Sequence, residues 1–153
     1  MQIWYRSRAL YDTVVRLLNS GRYREAIEMA EQIPDGKVKA KALSKIAVHL
    51  AKEGKNYGEA LERAINVASD LPSIDSTKAL MSLAFDFLSL GLHGEALRVA
   101  GFIRDLPNRS KIQAEVALKL AREGRVSEAM EIINDILDED VKTWAMSRMA
   151  TTV

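Results

Sequence analysis

Four glutamates are the first residues to consider for chemistry. Glu25, Glu59, Glu95 and Glu128 each follow a glycine by four or five residues and precede an alanine. The four phrases are Gly21-Arg-Tyr-Arg-Glu25-Ala26, Gly54-Lys-Asn-Tyr-Gly-Glu59-Ala60, Gly91-Leu-His-Gly-Glu95-Ala96 and Gly124-Arg-Val-Ser-Glu128-Ala129. A carboxylate can act as a general acid or base, or as a metal ligand, but either use needs a second suitable group held beside it. The two histidines, His49 and His93, have no second histidine or cysteine at ligand spacing, and the chain contains no cysteine at all. The acidic run Asp135, Asp138, Glu139 and Asp140 lacks the glycine and spacing of a calcium loop; it reads as the polar end of the eighth helix. Phosphate loops, dinucleotide fingerprints and nucleophile elbows are also missing. The expectation is therefore no catalysis, no metal and no cofactor.

The phrases do carry a period. Their glycines are 33, 37 and 33 residues apart, and a repeat in this range means stacked supersecondary units. Glycine suits a helix C-terminus because the residue there often takes a left-handed conformation that only glycine reaches cheaply. A glutamate in the first turn of the next helix faces the positive end of the helix dipole. Each phrase is thus the turn of a helical hairpin, and its glutamate needs no catalytic role.

Apolar spacing supplies the helices. Leu10, Val14, Leu17 and Leu18 form one amphipathic stripe between Ser7 and Asn19, and Ala26, Ile27, Ala30 and Ile33 form the next, ending before Pro34. The sequence predicts repeats over residues 7–36, 37–72, 73–107 and 108–140, with the fourth opening on a Ser110-Lys-Ile-Gln113 capping box. A further helix over 141–153 either caps the stack or begins a fifth repeat of a longer protein. Residues 1–6, with Ile3, Trp4 and Tyr5, either extend the first helix or fold over the first repeat. Alanine recurs seven residues before the glycine, as Ala47, Ala84, Ala117 and Ala150 with Val14 in the first unit, and again after each glutamate. Small residues at matched places let the two helices of a hairpin approach closely.

At 153 residues, with 48% hydrophobic and 28% charged residues, the chain is expected to form one all-α domain over 1–153. A net charge of +1 argues against non-specific nucleic-acid binding as the main activity. The N-terminus has no signal-peptide core and no apolar run reaches membrane-spanning length, so a cytoplasmic protein is expected.

The pattern resembles the tetratricopeptide repeat (TPR), a helix-turn-helix unit of about 34 residues with the form W-x2-L-G-x2-Y, then A-x3-F, then P. Here it appears as Leu43-x2-Ile46-Ala47-x2-Leu50 and Ala60-x3-Ala64 with Pro72, and as Leu80-x2-Leu83-Ala84-x2-Phe87 and Ala96-x3-Ala100 with Pro107. The fourth unit gives Gln113-x2-Val116-Ala117-x2-Leu120 and Ala129-x3-Ile133. The resemblance implies a right-handed superhelix whose concave face, lined by the first helix of each hairpin, binds a peptide or protein segment. Carried over by register, that face holds Tyr11, Val15, Ser44, Val48, Met81, Phe85, Ala114, Leu118 and Ser147. Arg8, Lys41, Lys78 and Lys111 run beside them at the helix starts, and Asn19, Lys52, Ser89 and Arg122 lie at the far ends. An apolar stripe beside a basic row suits an apolar segment flanked by acidic residues. The alternatives are self-association that covers the groove, and a single-stranded RNA ligand tracked by one cation per repeat.

Overall fold

A computed structural model describes residues 2–152. Among them are nine helices: α1 (Gln2–Asn19), α2 (Tyr23–Glu31), α3 (Gly36–Lys52), α4 (Gly58–Ser69), α5 (Ser73–Ser89), α6 (His93–Ala100), α7 (Leu106–Arg122), α8 (Val126–Asn134) and α9 (Glu139–Thr152). By contact the chain divides into two compact units, residues 1–79 and 80–153, with α5 running through the division. In the first unit α1 packs on α2 and α3, and α3 packs on α4; in the second, α7 packs on α6, α8 and α9.

The four expected turns form as the glycine spacing requires. Gly21, Gly54, Gly91 and Gly124 all have positive φ, between 68° and 84°. In each turn the amide after the glycine donates back to a carbonyl five residues earlier: Arg22 to Leu17 (2.9 Å), Lys55 to Leu50 (2.9 Å), Leu92 to Phe87 (3.0 Å) and Arg125 to Leu120 (2.9 Å). The glycine amide donates to the carbonyl three residues before it, completing a Schellman motif that satisfies the last free carbonyls of the first helix. The small residues behave as expected too. Val14, Ala47, Ala84 and Ala117 on the first helices, and Ala26, Ala60, Ala96 and Ala129 on the second, are all buried. Phe87, Leu18, Leu43, Leu61, Ile65, Leu80 and Ile133 fill the space beside them.

One of the two readings of the N-terminal residues is realised, and two expectations are corrected. Residues 2–6 extend α1 as helix, leaving Ile3, Trp4 and Tyr5 more than half exposed instead of covering the repeat. The Ser110 capping box does not form. Asp105 caps α7 by accepting from the Asn108 amide at 3.0 Å, Pro107 sits in the first turn where its missing N–H costs no helical bond, and Ser110 lies buried inside the helix. The fourth repeat accordingly begins before Pro107, not after it. The acidic run is divided: Asp135 is the C-cap of α8, as expected, whereas Asp138 accepts from the Val141 amide at 2.9 Å and Glu139 and Asp140 form the first turn of α9. Ala150 is exposed, whereas its counterparts in the complete hairpins are buried. Met1 and Val153, the ends of the expected domain, fall outside the described residues.

Candidate functional site

In the first unit α1 and α3 lie side by side, and their shared face carries the expected row. The amphipathic register of α1 sends Val14 and Leu18 inward, which leaves Tyr11 and Val15 half-buried and Arg8 exposed. On α3 the same geometry buries Leu43, Ile46, Ala47 and Leu50, leaving Ser44 and Val48 half-buried and Lys41 and Lys52 exposed. Lys41 Nζ stands 5.3 Å from the centre of the Tyr11 ring, so the two helices meet through a cation and an aromatic face. One helical step back, the Arg8 guanidinium lies 5.7 Å from the centre of the Trp4 ring. Burial, and to a lesser degree the Asp12 carboxylate, raise the Tyr11 hydroxyl above its ordinary pKa, so it stays a neutral donor.

Several cations are neutralised: Arg24 makes a two-pronged bond with Glu59 at 2.8 Å, Arg63 bridges Glu59 and Glu31, Arg125 meets Glu128 at 2.8 Å, and at the start of α3 Lys37 pairs with Asp75 and Lys39 with Glu31. Arg22 pairs with Glu25 and Arg98 with Glu95. The repeated glutamates are therefore ion-pair residues at helix starts. Glu59, between Arg24 and Arg63, is pushed down to about 2, the Arg24 hydrogen bond being the largest cause. By contrast Arg8, Lys41, Lys52, Lys78, Lys111 and Arg122 have no ion-pair partner among the described residues.

The expected residues of the second unit fare differently. Lys111 and Arg122 are exposed at the two ends of α7, Phe85 is 36% exposed and Met81 is half-buried. Ala114 and Leu118 are buried at 0% and 3%, because α7 is enclosed by α6, α8 and α9. They offer no surface to a ligand. Ser147 is exposed on α9.

Two inter-hairpin contacts had no counterpart in the sequence reading. The second residue after a turn glycine reaches the end of the next hairpin's first helix: Tyr23 meets the His49 ring with centroids 5.9 Å apart, and His93 Nε2 lies 2.9 Å from Glu123 Oε1. Their only signal in the sequence was the shared offset of Tyr23 and His93 from Gly21 and Gly91. Among the described residues no group of three or more histidines or carboxylates could hold a metal ion, and no helix is long and apolar enough to cross a membrane.

This arrangement of helices has a solved counterpart. The chain is similar to Ton1535 from Thermococcus onnurineus NA1 over 99% of its own length, with a TM-score of 0.60 and 18% identity. The likeness is one of fold, an all-α array of helical hairpins. This repeat chain spans 44% of Ton1535. It is also similar to the TPR-like repeats of a putative kinesin light chain from Podosopora anserina, at 18% identity and a TM-score of 0.44, over 96% of this chain and 84% of that one. No protein-family model matches the chain, and no curated protein matches it at a significant level.

Proposed function

We propose that this helical repeat is a non-enzymatic interaction scaffold, and that the α1–α3 face of its first unit holds a peptide or protein segment, apolar with acidic flanks. The observation that carries this reading is that the cations bordering this face lack acidic partners. Arg8, Lys41 and Lys52 border Tyr11, Val15, Ser44 and Val48 without an acidic partner, while the cations of the second helices are paired. Unpaired cations beside half-buried apolar groups attract acidic partners and steer their approach.

An RNA strand would meet the same cations, but the face offers base edges few readers, with Asn19 the only side-chain amide at the positions assigned to it. The test is an array of apolar peptides with acidic, neutral or basic flanks, alongside a single-stranded oligoribonucleotide. Retention of the acidic-flanked peptides by the native chain, and their loss with Lys41→Glu, supports the proposal. Equal retention of basic-flanked peptides, or RNA binding that falls steeply with salt while peptides are ignored, overturns it. A dimer in solution that binds the peptide as well as the dissociated monomer does would sink the groove-covering alternative.

A further inference from the structure

Trp4 lies on the same stripe of α1 as Arg8, Tyr11 and Val15, since positions 4, 8, 11 and 15 follow the i, i+4, i+7, i+11 spacing of one helix face. The stripe therefore continues one turn past Arg8 toward the helix start. Trp4 is 56% exposed, and two neighbours brace its ring. The Arg8 guanidinium stands 5.7 Å from the ring centre, and the Tyr5 ring meets it edge-on with centroids 4.9 Å apart. A large aromatic ring kept at the surface in this way is a ready contact for a second apolar ring.

The neighbouring helix supplies the internal comparison. One repeat on, the matching stripe of α3 is Lys37, Lys41, Ser44 and Val48. Lys37 takes the place of Trp4 and is drawn to Asp75 at 3.6 Å, so this level offers an aromatic surface beside a committed cation. The next level holds Arg8 and Lys41, which have no ion-pair partner among the described residues. Val15 and Val48, both half-buried, follow farther along. The face thus reads aromatic, then cationic, then aliphatic. A helix rises about 1.5 Å per residue, which places Trp4 about 6 Å to one side of Arg8 and Val15 about 10 Å to the other. An extended segment, rising about 3.3 Å per residue, spans those intervals in two residues and three.

We propose that Trp4 is a specificity-determining residue of the α1–α3 face, selecting a segment with an aromatic residue two places beyond its acidic one and an aliphatic residue three places to the other side. The carboxylate pairs with Arg8 and Lys41, the aromatic ring packs on Trp4, and the aliphatic side chain lies along Val15 and Val48. This rests on the reading of that face as a peptide site. The test titrates the isotope-labelled full chain with N-acetyl-Leu-Ser-Ser-Asp-Ser-Phe-amide, with the same residues in reverse order, and with versions of both that carry alanine in place of phenylalanine. NMR follows the indole N–H signals of the two tryptophans, Trp4 and Trp144, with Trp144→Phe assigning them. Expected is a saturable shift of the Trp4 signal with one of the two phenylalanine probes, Trp144 unmoved, and an affinity about threefold or more above that of the alanine version. Trp4→Ala should remove that preference without abolishing binding, and Trp4→Phe should keep it. Equal affinity for the phenylalanine and alanine versions, or a preference unchanged in Trp4→Ala, overturns the role of Trp4 and leaves the peptide site standing. Binding of none of the probes overturns both. A Trp4 signal that moves with chain concentration alone would show the ring covered by a second copy, and overturns the proposal too. Circular dichroism of each variant confirms that helix content is unchanged, since Trp4 is exposed.

Discussion

His93 Nε2 lies 2.9 Å from Glu123 Oε1, tying the first turn of α6 to the C-terminal cap of α7. His93 is 91% buried by its neighbours and Glu123 stands at the surface, so the bond anchors one hairpin to the end of the next helix. The Glu123 carboxyl is held below its ordinary value, chiefly by that hydrogen bond. A carboxylate whose folded pKa is depressed contributes stability above its unfolded pKa and loses it as pH falls through the folded value. Glu123→Gln should lower the unfolding midpoint at neutral pH, and the gap to the native chain should close as pH drops below about 4.5, the ordinary glutamate value. Denaturant melts across pH would measure this; a gap independent of pH would show that the carboxylate charge is not involved.

A wider window is expected for Glu59, whose pKa of about 2 reflects first the Arg24 hydrogen bond. Its contribution should persist well below the ordinary carboxylate range and disappear only as pH approaches 2. Arg24→Gln should narrow that window toward the ordinary range, measured by NMR titration of the Glu59 side chain. Because the pair is exposed, its effect on stability near neutral pH should be small.

At Gly91 the φ of +79° is combined with open space where a Cβ would project. Gly91→Ala should therefore cost only the left-handed backbone penalty, about 1–2 kcal/mol. Gly91→Asn should cost less, because asparagine tolerates that region better. Equal losses for both would point to a steric cause that the turn geometry does not contain.

Ala117 is fully buried on α7, which packs against α6, α8 and α9. Ala117→Leu should destabilise by about 1–3 kcal/mol through overpacking, with Ala117→Gly a milder loss from helix propensity. Chemical denaturation reads both. A stabilised Leu variant would mean that the hairpin is looser than its burial indicates.

The turns and the alanines were legible in the sequence because each rests on a local steric rule: few residues other than glycine take positive φ cheaply, and little besides alanine fits between close helices. The start of α7 was misread for a local reason as well. Ser110 and Gln113 match a capping pattern, but Asp105 supplies a stronger acceptor one turn earlier, and proline in a first turn begins a helix as readily as it ends one. What the period could not supply was tertiary neighbourhood. Ala114 and Leu118 share a register with Ser44 and Val48, yet the enclosing helices bury the first pair and leave the second half-open. The contact of Lys41 with Tyr11, and the bridge of Arg24 to Glu59 across 35 residues, likewise depend on which helices become neighbours.

If the unpaired cations of the α1–α3 face, and not the paired ones of the second helices, hold the acidic-flanked ligand, then neutralising the two sets should differ in effect. Fluorescence polarisation against the best acidic-flanked array peptide compares Arg8→Gln/Lys41→Gln with Arg24→Gln/Arg63→Gln, with helix content checked for both. A loss of roughly tenfold or more in affinity, about 1.4 kcal/mol, is expected for the first pair and little change for the second. Equal losses in the two pairs, or a loss confined to the second, would contradict it.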